Sequence, residues 1–120
     1  MKYFASKELI AYCKKQVKNP DVIMDLYDQT FAWASEKVVK ILGFSHEELA
    51  ETRVLDLRIK SKSDEEDLME HMAEKEYVED MLFKTKKNKK VLVKLKVKYI
   101  EFEGHPCYVV KILKVISKEK

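Results

Sequence analysis

Two neighbouring stretches near the C-terminus constrain this chain most. From Val91 to Phe102 the residues alternate, with Val93, Leu95, Val97 and Tyr99 on one side and Lys94, Lys96 and Lys98 on the other. That is the period of a strand with one buried face. From Cys107 to Ile116 the alternation disappears: Val110, Ile112 and Ile116 stand against Val109, Leu113 and Val115. A strand that is apolar on both faces is covered on both sides. The chain must therefore bring material to both faces of a sheet. One cover is the domain core; the other is either an N-terminal helix or a partner subunit.

The rest of the chain supplies the pieces. Ser6 to Lys18 reads as an amphipathic helix, with Ala5, Leu9, Cys13 and Val17 four residues apart and Ile10 and Tyr12 beside them. Ser6 is its N-cap and Asn19-Pro20 its stop. Asp21–Tyr27 and Thr30–Ala34 are short strands around Asp28-Gln29. Ser35 opens a helix carrying Val38, Val39, Ile41 and Leu42, and Gly43 closes it in the left-handed conformation. Ser45-His46-Glu47-Glu48 is a capping box for a further turn ending near Leu49. A loop through Leu55 and Leu57 leads to a second box, Ser63-Asp64-Glu65-Glu66, whose helix has Leu68, Met69, Met72 and Ala73 on its apolar face. A third strand, Tyr77–Lys86, turns at Lys87-Asn88-Lys89, and Glu103-Gly104 makes the last turn. The order predicts an α+β domain: a five-stranded antiparallel sheet with helices on one face, plus the N-terminal amphipathic helix.

Composition narrows the function. At 120 residues and 46% hydrophobic, the chain builds one core unaided. Its net charge is only +3, and its 24 basic residues comprise 22 Lys and 2 Arg. Arg is the usual residue for bidentate phosphate and base recognition, so this bias counts against specific nucleic-acid reading. The rival observation is a lysine hairpin, eight lysines from Lys84 to Lys98. No aromatic side chain interleaves it before Tyr99, so it reads as a solvated face that guards a sheet against edge pairing. Cys13 and Cys107 have no metal spacing, which together with the absence of a signal peptide points to reduced thiols and a cytoplasmic location. No apolar run reaches the ~20 residues that cross a bilayer. With only Gly43 and Gly104, a phosphate-cradling loop is absent, and no nucleophile–base order appears. The chain reads as a non-enzyme.

The run Phe31-Ala32-Trp33-Ala34-Ser35 through Leu42-Gly43-Phe44-Ser45-His46-Glu47-Glu48-Leu49 resembles the most recognisable stretch of PAS domains, sensory and interaction modules. Phe102-Glu103-Gly104-His105-Pro106 is similar to that family's last hairpin turn. The resemblance covers about residues 21–117, leaving 1–20 as the N-terminal helix and 118–120 as a tail. Two departures stand out. Glu51 replaces a frequent Gly, and Val115-Ile116-Ser117 lacks the Asp of the triplet that couples many members to a following helix.

The resemblance implies a sensory or regulatory domain that binds a small ligand or a protein partner. It would relay the signal by conformational change or dimerisation, to an effector domain or protein such as those of two-component or transcriptional systems. It implies a pocket between sheet and helices, for which Trp33, Ile41, Leu42, Leu57, Leu68, Met72, Leu95 and Ile112 are the candidate lining. A flavin-photosensing cysteine is missing, since the matching region reads Thr52-Arg53-Val54-Leu55-Asp56-Leu57. No cofactor is expected; the alternative is haem ligated by His71, on the helix where some members hold iron. Leu9, Cys13 and Val17 with Val109, Leu113 and Val115 are the candidate interface of a homodimer.

Overall fold

A computed structural model describes residues 6–59 and 76–119. The second capping box and its helix, with Leu68, Met72 and His71, lie outside the described residues. Within them the elements are α1 (Lys7–Gln16), β1 (Val22–Asp25), β2 (Phe31–Ala34), α2 (Glu36–Leu42), α3 (His46–Ala50), α4 (Val54–Leu57), β3 (Glu76–Lys84), β4 (Lys90–Phe102) and β5 (His105–Lys118). The strands form one antiparallel sheet in the order β2-β1-β5-β4-β3. β5 sits in the middle, and its first part, with Cys107, Val109 and Ile112 buried, is covered on both faces, while Leu113, Val115 and Ile116 beyond it are exposed. The strand continues to Lys118, past the Ile116 end expected from the sequence.

Local chemistry sets the element ends. The Ser6 hydroxyl accepts from Leu9 N and the Ser35 hydroxyl from Val38 N, each serving a donor that the first turn leaves unpaired. Gly43 ends α2 at φ 81°, and its N–H donates to Val39 O at 2.8 Å. In α3 the capping box is complete: Glu48 N donates to Ser45 Oγ at 3.1 Å and Ser45 N to Glu48 Oε1 at 3.0 Å. The β4–β5 turn places Glu103 at φ 51° and Gly104 at φ 82°, the two positive values that a two-residue hairpin needs. Asn88, at φ 62°, turns β3 into β4.

The sheet separates two apolar clusters. One, under α2–α4, contains Val22, Phe31, Val38, Leu42, Leu49, Val91, Val93, Leu95, Val97 and Ile112. The other, under α1, contains Leu9, Cys13, Val17, Ile23, Ala32, Ile100, Cys107 and Val109, with Trp33 and Phe102 packed against it. So the chain's own N-terminal helix supplies the second cover over this part of the sheet. Lys98 and Lys111 secure it there by donating to the carbonyls of Gln16 at 3.4 Å and Lys18 at 2.9 Å.

Two details govern which side chain faces which cluster. The β1–β2 register runs Val22↔Ala34, Ile23↔Trp33, then Met24↔Phe31, so Ala32 is an extra residue, a bulge. An extra residue inverts the facing of everything beyond it. Asp21 then ties three elements together although it is buried. Its carboxylate accepts from the Ser35 hydroxyl and from Ile112 N, each at 2.8 Å, so both oxygens are used.

Candidate functional site

The cluster under α2–α4 does not close. It surrounds a cavity of about 220 Å³ between the sheet and the helices. β1 contributes Val22 and Met24, β2 Phe31, and α2 Val38, Ile41 and Leu42. From α4 comes Val54, from β3 Tyr77, Met81 and Phe83, and from β4 Val91, Val93, Leu95 and Val97. β5 adds Tyr108, Val110 and Ile112. The alternation of β4 is what delivers four successive inward residues to one wall.

Few polar groups reach this space: Gln29, Arg58, Tyr77 and Tyr108 among the described residues. Burial pushes the phenols of Tyr77 and Tyr108 up, and the nearby Glu79 charge adds to both, so at neutral pH they stay protonated. Arg58 follows α4 directly. An isolated bridge to Phe83 and a 2.8 Å bond from Ile59 N to Leu82 O hold its backbone against β3. The other arginine, Arg53, is also positional: its Nη2 donates to Gln29 Oε1 at 2.7 Å.

Of the residues chosen from sequence, Ile41, Leu42, Leu95 and Ile112 line the cavity. Leu57 is buried in the same cluster without lining it. Trp33 is a correction. The bulge at Ala32 turns its ring to the opposite face, where Lys14 Nζ lies 5.7 Å from the ring centroid. Leu68, Met72 and His71 lie outside the described residues. Arg58, Tyr77 and Tyr108 were missed. Their signal was present in the first: one of two arginines among 22 lysines is a choice that needs a reason.

The candidate dimer residues divide. Leu9, Cys13, Val17 and Val109 are corrected to intrachain packing, because α1 lays its stripe on its own sheet. Leu113 and Val115, near the end of β5, are exposed at 43% and 38%. The thiols lie on the α1 side. Burial pushes Cys13 up to about 12, with Cys107 adding to it, and pushes Cys107 up to about 11. Neither lines the cavity, and both are inert as nucleophiles at neutral pH.

Some lysines of the hairpin face acids across the sheet, while Lys84 stands opposite Lys90, and Lys94 and Lys96 stand opposite Lys114 and Lys111 of β5. Lys98 is opposite Glu76 and Lys94 opposite Asp80, and Lys96 Nζ bonds Glu76 Oε1 at 2.6 Å, which holds the Glu76 carboxyl below its usual range. Lys86 does the same to Glu48 at 2.7 Å. Among the described residues no group of three His, Cys, Asp or Glu side chains could hold a metal ion, and no helix is long and apolar enough to cross a membrane.

No family model and no curated protein matches this sequence. Solved structures do match the fold. A PAS domain from a two-component sensor histidine kinase superimposes with a TM-score of 0.66 at 13% identity, covering 90% of this chain and 99% of that one. A PAS domain from Desulfitobacterium hafniense gives 0.62 at 22% identity, over 82% and 96%. The dark structure of the blue-light photoreceptor Aureochrome1 LOV gives 0.68 at 12%, over 94% and 86%. The chain has the PAS fold.

Proposed function

We propose that this chain is a non-catalytic sensory module whose input is a small, mainly apolar molecule held between the sheet and α2–α4. The observation that carries this reading is the apolar lining of the cavity. Protein interiors are normally filled to crystal-like density, yet about 220 Å³ stays open here between almost wholly apolar walls, whereas the cleft of about 380 Å³ beside α1 is rimmed by Ser6, Asp25, Asp28, Glu103 and His105. A dry apolar cavity of ~150 Å³ holds benzene, so this one suits a compact ligand and is small for a tetrapyrrole. Occupancy would favour one arrangement of the walls over another. Val110 and Ile112 place β5 against the ligand, and the same strand ends in exposed Leu113 and Val115, through which a second copy or an effector receives the change. The ion pairs of Lys86 with Glu48 and Lys96 with Glu76, together with the absence of an interleaved aromatic side chain, favour a solvated face over a nucleic-acid surface.

Native mass spectrometry with an absorbance spectrum, on protein freshly purified from its own source, tests ligand, cofactor and subunit number together. The expected result is a dimer with a non-covalent small-molecule adduct, which Val93→Trp loses by filling the cavity. Ligand-free wild type in every preparation contradicts the ligand reading. A monomer at high concentration contradicts the dimer. A Soret band lost in His71→Ala replaces the small ligand with haem.

A further inference from the structure

The cavity contains a group that its apolar walls do not need. Arg58 has a side chain only 5% exposed, on a chain that uses lysine for almost every other cation. A guanidinium is always charged and carries five donors. Burying one calls for acceptors around it. Among the described residues, the carboxylate that Arg58 meets falls short of that role: Nη2 stands 3.9 Å from Glu79 Oε1, close enough for attraction and too far for a hydrogen bond. Arg58 Nε is fully buried and has no hydrogen-bond partner among the described residues. The bridge to Phe83 and the Ile59–Leu82 bond fix the backbone from which this side chain enters the cavity wall.

The geometry points to Arg58 Nε as the anchor for a small uncharged molecule with an apolar body and one carbonyl-type oxygen, an assignment that rests on the cavity being a ligand site. Three observations define that class. The walls around Arg58 are aliphatic and aromatic, so most of the ligand must be apolar. The volume of about 220 Å³ admits a ring with a short substituent. The charge is already matched: Arg58 is the one cation among the described lining residues, and Glu79 stands beside it. A ligand carboxylate would set a second negative charge near Glu79, whereas a neutral carbonyl accepts from Nε without that repulsion.

Titration calorimetry on the full chain with acetophenone, ethylbenzene and benzoate tests this. Acetophenone and ethylbenzene share a shape and differ in a carbonyl against a methylene. In wild type the affinity ratio of acetophenone over ethylbenzene should exceed that in Arg58→Met by about tenfold or more, the usual worth of a hydrogen bond to a charged group. The Arg58 Nε–H resonance of wild type gives a readout that needs no variant. It should move with acetophenone and stay still with ethylbenzene. If neither compound binds, the cavity reading fails and takes the anchor with it. Should both bind with the same ratio in wild type and Arg58→Met, and Nε–H remain unmoved, the anchor alone is wrong and the cavity stands. Tighter binding of benzoate than of acetophenone overturns the restriction to uncharged ligands.

Discussion

The two faces of this sheet are built from the same kind of residue and end differently. Under α1, Cys13, Ile23, Cys107 and Val109 are fully buried and interlock with a helix that bears one stripe. Under α2–α4, Val91, Val93 and Phe31 are buried just as deeply, yet they surround open volume. Small residues on a continuous helix can approach a sheet closely, and α1 does so with a cysteine at its centre. Among the described residues, the helices on the other face are short, four to seven residues each. Burial of each residue therefore says little about whether a face is full. Cys13, Ile23 and Val109 line neither the apolar cavity nor the polar-rimmed cleft beside α1, and the apolar cavity is the space that suits an apolar ligand.

The same truncation made on each face tests that division most strongly. Ile23→Ala leaves a hole in a filled cluster and should cost toward the upper end of the about 2–5 kcal/mol typical of such changes. Ile112→Ala, on a wall that already borders open space, should fall at the lower end. Equal losses in urea melts would erase the distinction. Enlargement gives a smaller effect with opposite signs. Val109→Ile overpacks the α1 face and should cost roughly 1–3 kcal/mol. Val93→Ile should be tolerated or slightly stabilising, because its added methyl enters the cavity.

The smallest effect at neutral pH comes from the thiols of the α1 face. Their ordinary value is 9.0, and in the folded chain Cys13 rises to about 12 and Cys107 to about 11. Above pH 9 the unfolded chain loses thiol protons that the native chain keeps. Stability is thus fully present below pH 9 and falls as pH rises toward the folded values, by at most ~1.4 kcal/mol per pH unit for each thiol. The double variant Cys13→Ala, Cys107→Ala should flatten that slope. Iodoacetamide should leave native wild type unmodified at pH 8 and label it once it is unfolded.

Much of the fold was legible because it is written in local chemistry. Ser6, Ser35, Gly43, the Ser45 box, Asn88 and Glu103-Gly104 each satisfy a backbone need within a few residues, so sequence alone exposes them. The two-sided apolar pattern of β5 also announced a second cover. It left open whether α1 or a partner provides it, because a stripe shows that a face needs covering and not by what. Trp33 was misplaced for a different reason: the Ala32 bulge follows from pairing with β1 and leaves no mark on the spacing of β2. Arg58 escaped because α4 is a single turn, too short for periodicity to say where the side chain that follows it points. Asp21 escaped likewise, since its partners Ser35 and Ile112 are distant in sequence.

The central claim is that the apolar cavity under α2–α4 takes up small apolar molecules and the cluster of Ile23 and Val109 under α1 does not. Methyl NMR of wild type under xenon pressure tests it directly, since xenon enters dry apolar cavities without needing a hydrogen bond. Saturable shifts should appear at Val91, Val93, Leu95 and Ile112, with Ile23, Ala32 and Val109 unchanged. Shifts of equal size on both faces, or none on either, would contradict the account.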